Sequence, residues 1–142
     1  YVLGIETRRK LLPMVISMAK EKASKAGDDG ANQSVNRAVS KIMDTPTLIA
    51  VTTKLSPKDS FREEEDYAAT VCSLHNLVLS LWDMGIGSQW STGSVTRHPS
   101  TYNALEIDRE KERIVGFLRA GYPESIPNIK KKGSFDIRKY LP

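Results

Sequence analysis

A single cysteine, Cys72, occurs in 142 residues. That excludes a disulfide framework within the chain and any cysteine-rich zinc site. No run of about 18 apolar residues is present, so the sequence holds no membrane-spanning helix. Aromatics make up only 7% of the residues, and no aromatic ladder accompanies the basic residues, as a nucleic-acid face would require. There are two histidines, His75 and His98. Neither has partners at the spacing of a metal motif or a hydrolase triad. The chain opens Tyr1-Val2-Leu3-Gly4-Ile5 with neither Met nor a signal-like leader. It reads as a strand entered part-way, and we expect a segment to precede it. One cysteine and no leader favour the cytoplasm.

What is present describes one globular domain over residues 1–142. The chain is 39% hydrophobic and 27% charged, with 9 Gly and 7 Pro. The formal net charge is +4. Residues 127–142 carry Lys130, Lys131, Lys132, Arg138 and Lys139 against Asp136, which accounts for the whole excess. The body is therefore neutral. A solubilising tail or a small anionic ligand fits that distribution better than a nucleic acid does.

Periodicity gives the elements. Tyr1–Ile5 is a short strand. Glu6 to about Ala26 is a helix by the spacing of Leu11, Leu12, Val15, Met18 and Ala19, with Pro13 predicting a late start or a kink. A polar loop begins at Gly27-Asp28-Asp29-Gly30 and runs to about Ser34. Val35 to Met43 is a short helix stopped by Asp44-Thr45-Pro46. Thr47–Thr53 is a β-branched apolar run, as in a strand covered on both faces. Ser60-Phe61-Arg62-Glu63 matches a capping box, with Ser60 as the cap, and opens a long helix ended by Gly85. Glu63, Glu64, Glu65 and Asp66 suit the positive end of that helix, and consecutive carboxylates diverge too much for a metal site. Two apolar stripes and one small-residue stripe run along the helix. It is therefore expected to be deeply buried, or packed between two layers or against a second subunit. Thr101 to about Leu105 is a short helix, and Arg113–Gly121 a strand. Strands alternating with helices indicate α/β or α+β.

Chemistry is sparse. Cys72 and His75 lie on one apolar stripe of the long helix and read as core residues. His98, before Pro99, reads as exposed. Gly85-Ile86-Gly87 follows a helix instead of a strand, and Trp90 occupies the third-glycine position, so a dinucleotide-binding turn is rejected. Gly87-Ser88-Gln89-Trp90-Ser91-Thr92-Gly93 reads first as a structural turn. Its alternative is a wall of backbone N–H groups, hydroxyls and indole for a planar polar ligand.

The ordered set carries a resemblance. Asp44-Thr45-Pro46 leads into Thr47–Val51. The acidic helix start Glu63–Asp66 follows, then Asn76-Leu77-Val78-Leu79, Gly85–Gly93, and Ile114-Val115-Gly116-Phe117-Leu118-Arg119-Ala120-Gly121-Tyr122-Pro123. This resembles the nitroreductase family of flavin oxidoreductases, in its compact subgroup with Trp-x-[Ser/Thr]-Gly after the long helix. The resemblance covers nearly the whole chain. It implies an α+β fold, a mixed and mainly antiparallel sheet wrapped by helices, in a homodimer with FMN in clefts at the subunit interface. It implies NAD(P)H as the reductant, hydride transfer through flavin N5, and nitroaromatic, quinone or related small-molecule acceptors. Membrane and nucleic acid are not among the implied partners. By position, Trp90, Ser91, Thr92 and Gly93 are the implied flavin-lining residues, and Lys131 and Lys132 the implied phosphate partners. An N-terminal segment of about 40 residues, present in the family and supplying part of the flavin site, is absent before Tyr1. No residue is assigned as a catalytic acid. The alternative is a non-catalytic flavin-binding or interaction protein of the same fold.

Overall fold

A computed structural model describes residues 1–25 and 31–126. In chain order they form α1 (Ile5–Lys25), α2 (Ala31–Met43), β1 (Thr47–Lys54), α3 (Ser60–Asp83), β2 (Gly87–Ser91), a 3₁₀ turn (Ser94–Arg97), α4 (Pro99–Leu105) and β3 (Glu112–Gly121). The three strands make one antiparallel sheet in the order β1-β3-β2. This is an α+β architecture.

β3 is the central strand, and its residues Ile114 to Leu118 are all buried. An unbroken buried run requires cover on both faces. α3 lies across one face. On the other, Leu48, Ala50 and Phe117 join Leu11, Met14 and Val15 of α1, Ile42 of α2, and Tyr102 and Leu105 of α4 in the main core. The β1–β3 register shifts between Val51 and Thr52, whose partners are Gly116 and Ile114, so Val115 is the extra residue of a bulge.

The start of the chain departs from expectation. Tyr1–Leu3 is not a full strand: Val2 makes one bridge to Ile49, with Leu3 N–H donating to the Leu48 carbonyl and Ala50 N–H to that of Tyr1. The helix begins at Ile5 and runs through Pro13. Pro13 lies on the exposed side, so the carbonyl its missing N–H leaves free faces solvent and not the core. The stretch expected to be loop up to Ser34 is already helical from Ala31.

Arg8 was not singled out by the apolar pattern, yet it is buried at 7% exposure. Its Nε donates to the Leu3 carbonyl at 2.9 Å, and its guanidinium NH groups donate to the carbonyls of Ile42, Thr45 and Pro46. One cation thus joins the segment beside β1, α1, and the C-terminal carbonyls of α2, where the helix dipole favours positive charge.

α3 is capped by Asp59, not Ser60: the Asp59 carboxylate accepts from Arg62 N–H. Glu63 reaches instead to Ser56 N–H at 3.2 Å. Gly85 ends the helix at φ +72°, with Ile86 N–H donating to Leu81 and Gly85 N–H to Trp82, as in a Schellman motif. The expected deep burial is absent within one chain. Along α3 Leu74 alone is fully buried, with Val71, Val78 and Leu81 half-buried. The second stripe, Ala68, Cys72, His75, Leu79 and Trp82, is exposed. Cys72 and His75 are therefore surface residues and not core.

Trp90 lies opposite Leu118 in the register, so it crosses the α3 face of the sheet toward Gly116, two residues back on β3. A Cβ on Gly116 would overlap Trp90 Nε1 and come within 2.9 Å of the Ser91 carbonyl oxygen. Gly116→Ala is expected to lower stability by about 1–3 kcal/mol through overpacking. Gly4→Ala, where nothing lies within 4 Å of the new Cβ, should not share that loss. Thermal unfolding of the two variants checks this.

Candidate functional site

The segment Gly87–Gly93, expected to be a turn, is mostly strand: Gly87–Ser91 is β2, at the edge of the sheet. Strand residues alternate between faces. Gln89 and Ser91 share the face of Leu48, Ala50, Phe117 and Arg119, while Trp90 shares that of Ile49 and Leu118. The alternation continues past the strand end, so the four flavin-lining candidates divide. Ser91 and Gly93 line one cavity, and Trp90 and Thr92 line another. Buried Thr96, in the turn that follows, borders both. Its hydroxyl donates to the Gly93 carbonyl at 2.8 Å and fixes the corner.

The first cavity has a volume of about 510 Å³. That is within the range for a small-molecule site, roughly 300–1,000 Å³. Val15, Met18, Ile42, Leu48, Val95 and Phe117 make it apolar, and Lys22, Arg37, Lys41 and Arg119 add cationic groups. Arg119 stands opposite Gln89 and donates to its Oε1 from one NH2 group. Its Nε–H is buried without a hydrogen-bond partner among the described residues. Buried donors are rarely left unpaired, because each costs about 1–3 kcal/mol. An orphan guanidinium N–H on the wall of a cavity is what a site built for an acceptor-bearing ligand displays. Gly93 adds an open approach, since nothing lies within 4 Å of where its Cβ would be.

The second cavity, at the end of the sheet where α3 residue Tyr67 and α4 residue Tyr102 both reach it, has a volume of about 700 Å³. Arg97, Arg109 and Arg113 line it beside Tyr67, Trp90 and Tyr102. Arg109 stands 5.1 Å from the centroid of the Tyr102 ring and Arg113 4.8 Å from that of Tyr67. Glu112 is its acidic residue. That carboxylate accepts from Tyr1 Oη at 3.0 Å and Thr52 Oγ1 at 2.6 Å. The bond to Glu112, with burial and the carboxylate's charge, raises the Tyr1 phenol above its ordinary pKa, since ionisation would break the bond and oppose two anions.

Other candidates resolve plainly. Lys131 and Lys132 lie outside the described residues. His98 caps α4, its Nδ1 accepting from Ser100 N–H at 3.1 Å. Among the described residues no three His, Cys, Asp or Glu side chains gather as a metal site, and no helix is long and apolar enough to cross a membrane. Sequence reasoning missed Arg37, Lys41 and Arg119. Arg119 carried a signal, since it is a charge inside an otherwise apolar strand, Ile114–Ala120.

Residues 1–122 match the family model described as Nitroreductase family. The chain is similar to the curated Bacillus subtilis protein named "Putative NAD(P)H nitroreductase YfhC", at 32% identity over 69 residues, 49% of this chain. The match spans 35% of that protein, so the chain corresponds to about a third of that relative's length. Among solved structures it is similar to a nitroreductase-like family protein from Bacillus cereus, with 29% identity, TM-score 0.70, and coverage of 94% of this chain and 67% of that one. It also shares its fold with a nitroreductase from Bacteroides fragilis solved with bound FMN, with 18% identity, TM-score 0.61, and coverage of 99% and 74%.

The corner between the two cavities leans on Tyr102, whose buried hydroxyl accepts from Ile114 N–H at 3.0 Å, next to the bulge. Tyr102→Phe leaves that N–H unpaired. It is expected to cost about 1–3 kcal/mol, read as a lowered denaturant midpoint, with faster amide hydrogen exchange at Ile114.

Proposed function

The chain belongs to the nitroreductase family, and from that premise we propose that it is an FMN-dependent oxidoreductase. In this reading it takes reducing equivalents from NAD(P)H and passes them to nitroaromatic, quinone or related acceptors. The observation that carries the reading is the orphan Arg119 Nε–H on the wall of the cavity beside Ser91 and Gly93. The residues fit the group. FMN joins a flat, largely apolar ring system to a pyrimidine edge rich in acceptors. The apolar residues around Phe117 suit the ring. Arg119, with Arg37 or Lys41, suits the acceptor edge, and the Ser91 and Ser94 hydroxyls border the same space. When bound, FMN supplies acceptance of a hydride at N5 and its onward delivery as electrons.

The protein's own part is to bind, orient and exclude water. Positive side chains along one wall favour negative charge at the pyrimidine edge, and so favour the reduced over the oxidised cofactor. Val15, Met18 and Ile42 keep that side dry, which strengthens the same electrostatics. Trp90 and Thr92 bracket the corner from the opposite face of the sheet. Lys131 and Lys132 stay as proposed phosphate partners. No side chain is assigned as a proton donor.

The reading includes a homodimer. The α3 stripe of Leu79 and Trp82, together with Met84 just beyond it, lies more than half exposed. A continuous apolar face of this kind on a helix marks an interface. A second copy of the same helix covers it in this reading, on the face of the sheet opposite the Arg119 cavity, so this arrangement departs from a flavin cleft at the subunit interface. The single cysteine agrees with a cytoplasmic site of action.

The test is an anaerobic absorption spectrum of the purified protein loaded with FMN, before and after NADH or NADPH. Bleaching of the flavin band is expected. A bound flavin that stays oxidised with both nucleotides would reduce the protein to a flavin-binding one, and no bound flavin would overturn the reading. Arg119→Met is expected to weaken FMN binding about tenfold or more, read by fluorescence titration. Trp82→Glu should convert a dimer to a monomer in sedimentation, and a wild-type monomer would contradict the interface.

A further inference from the structure

Arg119 has unlike neighbours on the two sides of the central strand. Leu48 of β1, fully buried, stands opposite it on one side, and Gln89 of β2 on the other. Gln89 Oε1 accepts from one terminal NH2 group of Arg119 at 2.5 Å. Among the described residues no carboxylate forms an ion pair with Arg119. β2 is an edge strand, so Arg119 is the cross-strand neighbour of Gln89 within the sheet. Gln89 is itself exposed and is not one of the residues that line the cavity. Its influence on that cavity therefore runs through Arg119.

An amide at this position has chemical consequences. A guanidinium is planar and carries donors only. Holding one terminal nitrogen fixes the plane of the whole group, and with it the direction of Nε–H. An amide oxygen does this without adding charge. A carboxylate in the same place would hold the group more strongly and offset its charge. An apolar side chain would leave the charge but release the group. The lining of the cavity follows the same pattern. Lys22, Arg37, Lys41 and Arg119 contribute to it, and no acidic residue does. Of these four cations, the one with a buried, unpaired N–H is the one that Gln89 holds.

We propose that Gln89 is a positioning residue for the flavin site. It fixes the Arg119 guanidinium while leaving its charge uncompensated and its Nε–H unspent. It thereby sets how strongly the site prefers reduced flavin, the form that carries more negative charge, over oxidised flavin. This role rests on the flavin reading above.

The test is anaerobic calorimetric titration with oxidised FMN and with dithionite-reduced FMN, using wild type, Gln89→Leu and Gln89→Glu. Gln89→Leu is expected to weaken both forms about threefold or more, because Arg119 is no longer held. Gln89→Glu keeps the acceptor and adds a charge. It is expected to bind oxidised FMN within about threefold of wild type, while the ratio of reduced to oxidised affinity falls about tenfold. In the flavin-free protein, Arg119 Nε–H should exchange with solvent faster in Gln89→Leu and no faster in Gln89→Glu. The substituted side chain is exposed on an edge strand, and thermal unfolding of each variant verifies that it folds. Wild type that binds neither form of FMN would overturn the flavin reading, and this role with it. Wild type that binds FMN, with both variants indistinguishable from it, would overturn the role of Gln89 alone. So would equal weakening in both variants with an unchanged ratio, which would make Gln89 merely structural.

Discussion

The buried guanidinium of Arg8 is the interaction on which the rest of the α1–α2 side depends. A cation at 7% exposure survives burial only when its donors are satisfied, and here four backbone carbonyls satisfy them. Those carbonyls come from the segment beside β1 and from the end of α2. Two helices and a sheet edge are thereby held at one spacing. The cavity beside Phe117 and Arg119 is the room left between them. Its walls come from α1, α2, β1, β2, β3 and the 3₁₀ turn, so its shape is a consequence of that clamp as much as of the residues lining it.

β2 adds the second constraint. A five-residue edge strand presents its side chains alternately to two faces. Trp90 and Ser91 are adjacent in sequence yet serve opposite sides of the sheet. The Trp-Ser-Thr-Gly segment is therefore a partition between two cavities, not the lining of one. Gly116 makes the partition possible, because no side chain there fits beside the indole. The α3 helix follows the same logic on a larger scale. Its inner stripe packs on the sheet and its outer stripe, ending in Leu79 and Trp82, stays open within one chain.

Much of this was legible in the residues. The β-branched run at Thr47–Thr53 located β1, the glycine at Gly85 ended α3 in the left-handed region, and the apolar stretch Ile114–Ala120 located the central strand. The ordered segments from Asp44 to Pro123 carried the family resemblance. Other features were hidden for physical reasons. Arg8 looks solvated because sequence pattern cannot show that carbonyls from residues 42 to 46 converge on it. Cys72 and His75 looked buried because an apolar stripe does not state whether its cover comes from the same chain. Ser60 looked like the cap because Asp59 stands one residue earlier and caps as well. Gly87–Ser91 looked like a turn because its glycine and serines have little strand propensity, and its pairing with β3 is a long-range event.

Arg119 Nε–H, buried without a hydrogen-bond partner among the described residues, is the proposed flavin contact. The most direct test follows the Nε–H resonance of Arg119 by NMR during an FMN titration. This resonance is expected to shift and become protected from solvent exchange. Saturable FMN binding with the Arg119 resonance unchanged would contradict it.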